Sequence, residues 1–393
     1  MFVKSVSRFT DPVFYADKVI EFLKENAKKS FDDPTRVNAM EIWTKHDGEP
    51  LQRILTACRT YKVAPMVSFS ITGMGDTALE KGVLKYTDLL PLIKQLIDNG
   101  DLDPRTTTVR IDPILAGFTN MDTVRDIVAR CKELGLKKFV TSLVQSYGYT
   151  EGTAKDRHVV SGINSALAKE GKTYDWEKYY GTITEEDFEA SRKFNMENKN
   201  LSWRELIQEK DKIGLRDVST KSSVGKIHFI PKQEYIDEIG AVLKDINKDP
   251  EIEIETCSFH IDGLKSSACL DPLIIERITG VDIMSENKTY DVDTSRPQCM
   301  CYGVHGDLFS MRYPCYSSCA YCYAGQQETN PFRYYNEDGE LQNRPLTRVA
   351  KPINVYSADQ NGYQSLSNFA ARHFTMNTKS GGTIAFTSVE QAF

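Results

Sequence analysis

The sequence predicts an α/β protein, a partial or permuted TIM-like β/α barrel with a helical insertion and a cysteine-rich region near its C-terminal end. Two observations carry this. Over the first 145 residues short β-rich runs alternate with longer amphipathic segments, and repeated strand–helix alternation means parallel strands joined by crossover helices. Five such units fall before residue 150, the rhythm of an open or closed β/α barrel. The thiols are also unevenly placed, with six of the nine cysteines between Cys269 and Cys322.

The elements follow in order. "FVKSVS" (2–7) reads as a strand. "DPVFYADKVIEFLKENAKK" (11–29) reads as a helix with Asp11 as N-cap and Pro12 at its first position. "VNAMEIWT" (37–44) is a second strand, "EPLQRILTACRTY" (49–61) a second helix and "APMVSFSIT" (64–72) a third strand. "YTDLLPLIKQLIDNG" (86–100) is a helix closed by Gly100, and "TTVRIDPIL" (107–115) a fourth strand. "NMDTVRDIVARCKELG" (120–135) is a helix capped by Asn120 and stopped by Gly135, before a fifth strand, "KKFVTSLV" (137–144). Residues 148–225 are charge-rich and read as a helical insertion with a surface loop at 219–226. "PKQEYIDEIGAVLKDINK" (231–248) resumes as a helix and "EIEIETCSF" (251–259) as a sixth strand. The expected division is a domain over 1–325, a polar linker over 326–353 and a separate segment over 354–393.

Composition bounds the function classes. With 40% apolar and 26% charged residues the chain has a globular composition. No apolar run of about 18 residues predicts a membrane span, and "MFVKSVSRFTDP" lacks an apolar signal core, so the expected location is cytoplasmic. A net charge of −6 argues against a surface built mainly to hold nucleic-acid backbone, although a local basic groove for nucleic acid is compatible with it. Clustered cysteines in a cytosolic chain point to metal or redox chemistry rather than to disulfides.

"CYSSCAYCYAG" holds Cys315, Cys319 and Cys322 at C-x3-C-x2-C, after the strand-like "GDLFSMRYP" (306–314). Three thiolates on one loop suit three irons of a [4Fe–4S] cube and leave the fourth iron for a substrate or cofactor. With Tyr321 as the aromatic in the last gap, the pattern resembles that of radical S-adenosylmethionine enzymes. The competing readings are a structural zinc site and an ordinary four-cysteine cluster. Cys257, Cys269, Cys299 and Cys301 could complete a second site, an auxiliary iron–sulfur cluster or a zinc ion. Cys257, on an apolar strand, also reads as a small buried hydrophobe. Cys58 and Cys131 read as core, and His260 and His305 as spare ligands.

Charged residues at strand ends are the natural lining of a β/α site: Arg8, Asp11, Lys45, Arg110 and Asp112. Arg110 and Asp112 are the candidates for catalytic roles, the arginine because it can hold a carboxylate or phosphate at two points.

Several blocks carry a resemblance. "SVSRFTDPVFYADKVIEF", "EIWTKHDGEPL", "SFSITGMG", "VRIDPIL", "FVTSLVQSYG", then "ETC", "ACLDP", "RPQCMC" and "YPCYSSCAYCYA" resemble, in order, domain of unknown function family 1848 over about residues 1–325. That resemblance implies an iron–sulfur cluster like that of radical-SAM proteins. The radical-SAM pattern of the triplet itself adds S-adenosylmethionine as co-substrate and an electron donor such as flavodoxin or ferredoxin. Neither implies a substrate. The segment near 150–225 matches less well.

"NVYSADQNGYQSLSNFAARHFTMNTKSGGTIAFTSVEQAF" (354–393) resembles the opening of the NADAR domain, whose members are N-glycosidases acting on ADP-ribosylated substrates. The resemblance implies a catalytic carboxylate at Glu390 and a nucleotide pocket shaped by Asn368 and Phe369. The match is the start of a longer α+β domain, so an incomplete NADAR fragment is expected, with glycosidase activity only where the domain is complete. The leading expectation is a radical-SAM-like enzyme acting on a small molecule, a nucleotide or a modified nucleic-acid base. The alternative is a metal-stabilised scaffold with the chemistry in the NADAR part.

Overall fold

In the computed structural model the described residues are 2–7, 9–147, 158–182, 185–210, 228–257, 259–287, 301–302, 307–309, 313 and 315–322, with four short segments at 333–335, 341–343, 374–377 and 383–386. The chain forms two compact units, Met1–Pro345 and Leu346–Phe393.

In the first unit, β1 (Phe2–Ser5) is followed by a 3-10 turn (Pro12–Tyr15) and α1 (Ala16–Asn26). Asp11 is a cap, as its residue type suggests, but it caps the 3-10 turn by accepting from the Val13 amide, so α1 begins later than expected. Next come β2 (Val37–Thr44), α2 (Glu49–Thr60), β3 (Ala64–Ser70), α3 (Tyr86–Asp98), β4 (Thr107–Ile114), α4 (Met121–Glu133) and β5 (Lys138–Leu143). Asn120 caps α4 through the Asp122 and Thr123 amides.

Among its described residues the expected insertion over 148–225 is helical except for one short strand, and two more short strands flank it. β6 (Ser146–Tyr147), α5 (His158–Ala168), α6 (Trp176–Tyr179), β7 (Tyr180–Thr182), α7 (Glu185–Asn198), α8 (Trp203–Lys210) and β8 (His228–Pro231) include three short strands. These pair antiparallel in the order β6-β8-β7. Two- to four-residue strands carry too little alternation to be read against their charged surroundings.

Then follow α9 (Gln233–Ile246), β9 (Glu253–Cys257), β10 (Lys265–Ser266) and α10 (Pro272–Thr279). α10 was not anticipated, although Asp271 as N-cap, Pro272 at the first position and a left-handed Gly280 at the end are the signals of a short helix. The last elements are the hairpin of β11 (Arg333–Tyr335) and β12 (Leu341–Asn343) and, in the second unit, that of β13 (Phe374–Asn377) and β14 (Thr383–Phe386).

β1, β2, β3, β4, β5, β9 and β10 form one parallel sheet in that order. At its first edge Ser5 bridges Asp307 in parallel, and the Leu308 amide donates to Ser5 O at 2.9 Å. Side chains alternate across this sheet. One face presents Met40, Ile42, Val67, Phe69, Val109 and Ile111 to the helices, packed with Leu23, Ile54 and Ile93. On the other face, Val3, Ala39 and Met66, near the N-terminal ends of their strands, join a second apolar cluster with Trp203, Leu206 and Ile275. Further along the same strands this face turns polar, with Glu41, Ser68, Arg110 and Ser142 all buried. Apolar packing closes one end, and the charged groups collect at the C-terminal ends, where β/α proteins place their chemistry.

Candidate functional site

The loop bearing Cys315, Cys319 and Cys322 lies on those C-terminal ends. Ser318 takes a left-handed φ of 52°, and the Cys322 amide donates to Cys319 O at 3.0 Å, so the chain folds back tightly between its sulfurs. Cys319 is buried, and Cys315 and Cys322 are half-buried.

The connection between β3 and α3 clamps this loop through backbone. The Ala320 amide donates to Leu79 O at 2.8 Å and the Gly82 amide to Ser317 O at 3.2 Å. Glu80 and Cys319 form an antiparallel bridge. A Cβ on Gly82 would stand 2.4 Å from Tyr316 O, so only glycine permits the approach. Two residues after the end of β2, His46 places its Nε2 2.8 Å from Ser317 Oγ. The Phe14 ring meets the rings of both His46 and Tyr316 edge-on, at 4.9 and 5.2 Å between centroids.

Glu80, 1% exposed, is the centre of this clamp. The Lys45 ammonium donates to it at 2.9 Å, and the Tyr321 hydroxyl donates to the same oxygen. Burial works against the Lys45 charge, but Glu80 and the neighbouring Cys319 hold its pKa above the ordinary value. Burial and the Glu80 carboxylate push the Tyr321 phenol well up, so it stays a donor. Burial also pushes the Cys319 thiol well up, although Lys45 works to lower it. Asp11, under the loop, accepts from Thr44 Oγ1 and the Lys45 amide, yet burial outweighs these bonds and raises it to about 6.

The second cysteine group stands where β9 ends. Cys257 and Cys269 have their sulfurs 3.8 Å apart, and the Cys269 amide donates to the Cys301 sulfur at 3.1 Å. Arg110 donates to the Cys269 sulfur at 3.4 Å and to Asp112, and its guanidinium lies 4.4 Å from the Trp43 ring centroid. Asp112 also accepts from Ser142 and feels the charge of Lys45. Burial raises Asp112, but Arg110 and these donors overcome it, and its carboxyl stays below the ordinary value. The two cysteine groups are thus joined by an alternating row of charge, Arg110, Asp112, Lys45, Glu80, buried at its two ends and half-buried between them.

The structure therefore brings together Lys45, Arg110, Asp112, Tyr321 and the cysteines 257, 269, 301, 315, 319 and 322. Cys257 is no inert hydrophobe, because its thiol faces Cys269. Cys58 and Cys131 are fully buried core, as expected. His260 pairs with Asp262 at 2.8 Å. Arg8, Cys299, His305, Asn368, Phe369 and Glu390 lie outside the described residues. Among the described residues no three His, Cys, Asp or Glu side chains already stand as a shell ready for a metal ion. Glu80 and Trp43 were missed by the sequence reading. A groove of about 780 Å³ lined by Arg59, Pro65, Asp103 and Arg277 opens at the opposite ends of the strands and touches none of these groups.

The matched family covers both cysteine groups. Residues 211–324 match the model of a domain of unknown function (DUF1848). That is the family the sequence blocks resemble. The DUF1848 span runs from before β8 through Cys322, while Asp11, Lys45, Glu80, Arg110 and Asp112 come from the preceding β/α units. The site thus joins thiols from the DUF1848 span to charged residues from outside it. No curated protein matches the chain. Among the described residues no helix is long and apolar enough to cross a membrane.

Proposed function

We propose that the chain is an iron–sulfur enzyme of the radical S-adenosylmethionine type, with Cys315, Cys319 and Cys322 as the cluster ligands. The observation that carries this reading is the loop itself, three soft sulfurs within eight residues set over the C-terminal ends of a parallel sheet. The donor set fits: Cys319 feels the charges of both Cys315 and Cys322, so the three thiols share one neighbourhood. When bound, a [4Fe–4S] cluster with one iron free of protein ligands supplies one electron to S-adenosylmethionine.

The chain's own residues do the rest. Glu80 holds Tyr321 and Lys45 against the loop and fixes the thiols relative to the sheet. The half-buried Lys45 sets a positive charge beside Cys319 and works against the burial that raises its thiol. Arg110, buried against Trp43 and paired with Asp112, sets a fixed positive charge under the strand ends. The Ser5–Asp307 bridge supports a permuted β/α barrel, in which the segment leading into the cysteines lies beside the first strand. The NADAR-like sequence at 354–393 supports a nucleotide or modified base as the substrate class.

Anaerobic reconstitution with iron and sulfide, then dithionite and S-adenosylmethionine, tests the reading. 5′-Deoxyadenosine release is expected from the native chain and not from Cys319→Ala. A stable cluster without release in the native chain would refute the radical assignment and leave an electron-transfer or structural centre.

A further inference from the structure

Cys257, Cys269 and Cys301 lie outside the triplet loop, and the reading above gives them no role. They arrive from three separate places: the end of β9, the loop between β10 and α10, and the segment after residue 300. Three thiols gathered from distant positions at the end of a buried strand are not explained by packing, because aliphatic side chains would fill that space without lone pairs to satisfy.

Their spacing fits a shared ion. Cys257 Sγ and Cys269 Sγ are 3.8 Å apart, a distance at which one thiol can also donate to the other. A metal–sulfur bond of about 2.3 Å in tetrahedral geometry puts two ligand sulfurs about 3.8 Å apart, one edge of a single-ion site. Thiolates that each bind a different iron of a cube carry no such constraint. The Cys301 sulfur adjoins Cys269, whose amide donates to it at 3.1 Å. Charge also favours the site. Three thiolates on a divalent ion leave one negative charge, and the buried Arg110 guanidinium, shared with Asp112, stands 3.4 Å from the Cys269 sulfur.

From this geometry we infer that Cys257, Cys269 and Cys301 form a second site, for one thiophilic divalent ion of the zinc class. Arg110 is its counter-charge. Cys257 and Cys269 supply a preformed edge, and Cys301 closes on the ion as the third ligand, leaving one position open. Because Arg110 also pairs with Asp112, the ion is coupled to the charge row that leads to Lys45 and Glu80. The inference does not depend on the triplet binding a cluster.

The test uses the full chain with Cys315, Cys319 and Cys322 all replaced by alanine, titrated anaerobically with cobalt(II) and no sulfide. One cobalt per chain is expected, with thiolate-to-cobalt charge-transfer absorption and the visible bands of tetrahedral cobalt, both bleached by zinc. Adding Cys269→Ser should abolish the bands, and adding Cys301→Ser should weaken binding at least tenfold. No bands, bands that survive Cys269→Ser, or metal taken up only as iron with sulfide would overturn the proposal. If the triple variant fails to fold, the native chain and its Cys269→Ser variant are compared for cobalt stoichiometry. A loss of one equivalent supports the site, and an unchanged count overturns it. Because none of these readouts passes through the triplet, failure here and failure of the radical reading are separable.

Discussion

Lys45 and Glu80 meet at 2.9 Å across the C-terminal ends of β2 and β3, and Tyr321 of the cysteine loop donates to the same Glu80 oxygen. Two β/α units and the loop are therefore tied at one buried carboxylate. Removing one partner of a buried pair strands the other's charge and costs about 3–5 kcal/mol. Glu80→Ala should lower stability by that order and reduce cluster occupancy, both read by denaturant unfolding and iron analysis. Replacing Lys45 and Glu80 together, by methionine and leucine, should recover most of the stability and little of the occupancy, because Tyr321 still lacks its acceptor.

Gly82→Ala tests the backbone clamp independently of charge. The added methyl would stand 2.4 Å from Tyr316 O. Relieving the clash means moving the cysteine loop, at about 1–3 kcal/mol. The expected result is a modest fall in melting temperature with a larger fall in iron per chain. An unchanged iron content would show that the approach of this loop does not set the thiols.

Glu255 predicts a pH dependence. Burial outweighs the nearby Lys138 and raises it from 4.5 to about 7. The sign follows from linkage: between pH 4.5 and about 7 the unfolded chain has released this proton and the folded chain still holds it, so stability falls as pH rises through that window. The span corresponds to at most about 3 kcal/mol. Glu255→Gln should flatten the slope of unfolding free energy against pH between 4.5 and 7. A slope identical to that of the native chain would mean that Glu255 ionises normally in the fold.

Alkylation should separate the thiols into classes. Burial pushes Cys58 and Cys131 up to about 12, so at pH 8 the thiolate fraction is about 10⁻⁴ before access is considered. Both should resist iodoacetamide in the native chain and react in denaturant. In metal-free protein the half-buried Cys257, Cys269, Cys301, Cys315 and Cys322 should react before these two, and mass spectrometry of timed digests would reveal the order.

Much of this arrangement was legible in sequence, for physical reasons. The residue bounds of β2 and the near-bounds of α2, α3 and β4 follow from runs long enough to show a period. Lys45, Arg110 and Asp112 were found because parallel strands place charged residues at their C-terminal ends. Glu80 was invisible to that logic. It sits ten residues beyond the end of β3, in a connection without a period, and its partner Tyr321 is 241 residues away. Trp43 reads as an ordinary strand aromatic until Arg110 is seen stacked on it. Cys257 reads in sequence both as a ligand of a second site and as a small buried hydrophobe, because its strand is apolar. Its contact with Cys269 from the next loop is visible only in the fold.

The Ser5–Asp307 bridge and the Glu80–Cys319 bridge have a consequence for how the protein is made. Both join positions near the start of the first unit to positions near its end. A ribosome can therefore deliver all seven strands of the main sheet before the triplet loop has left the exit tunnel. The triplet follows the strands of the main sheet in the chain, so any cluster on it would be loaded after those strands have been synthesised. A chain stalled or clipped after β10 would keep most of its core and present the polar face of its sheet to water, with the row from Arg110 to Glu80 uncovered.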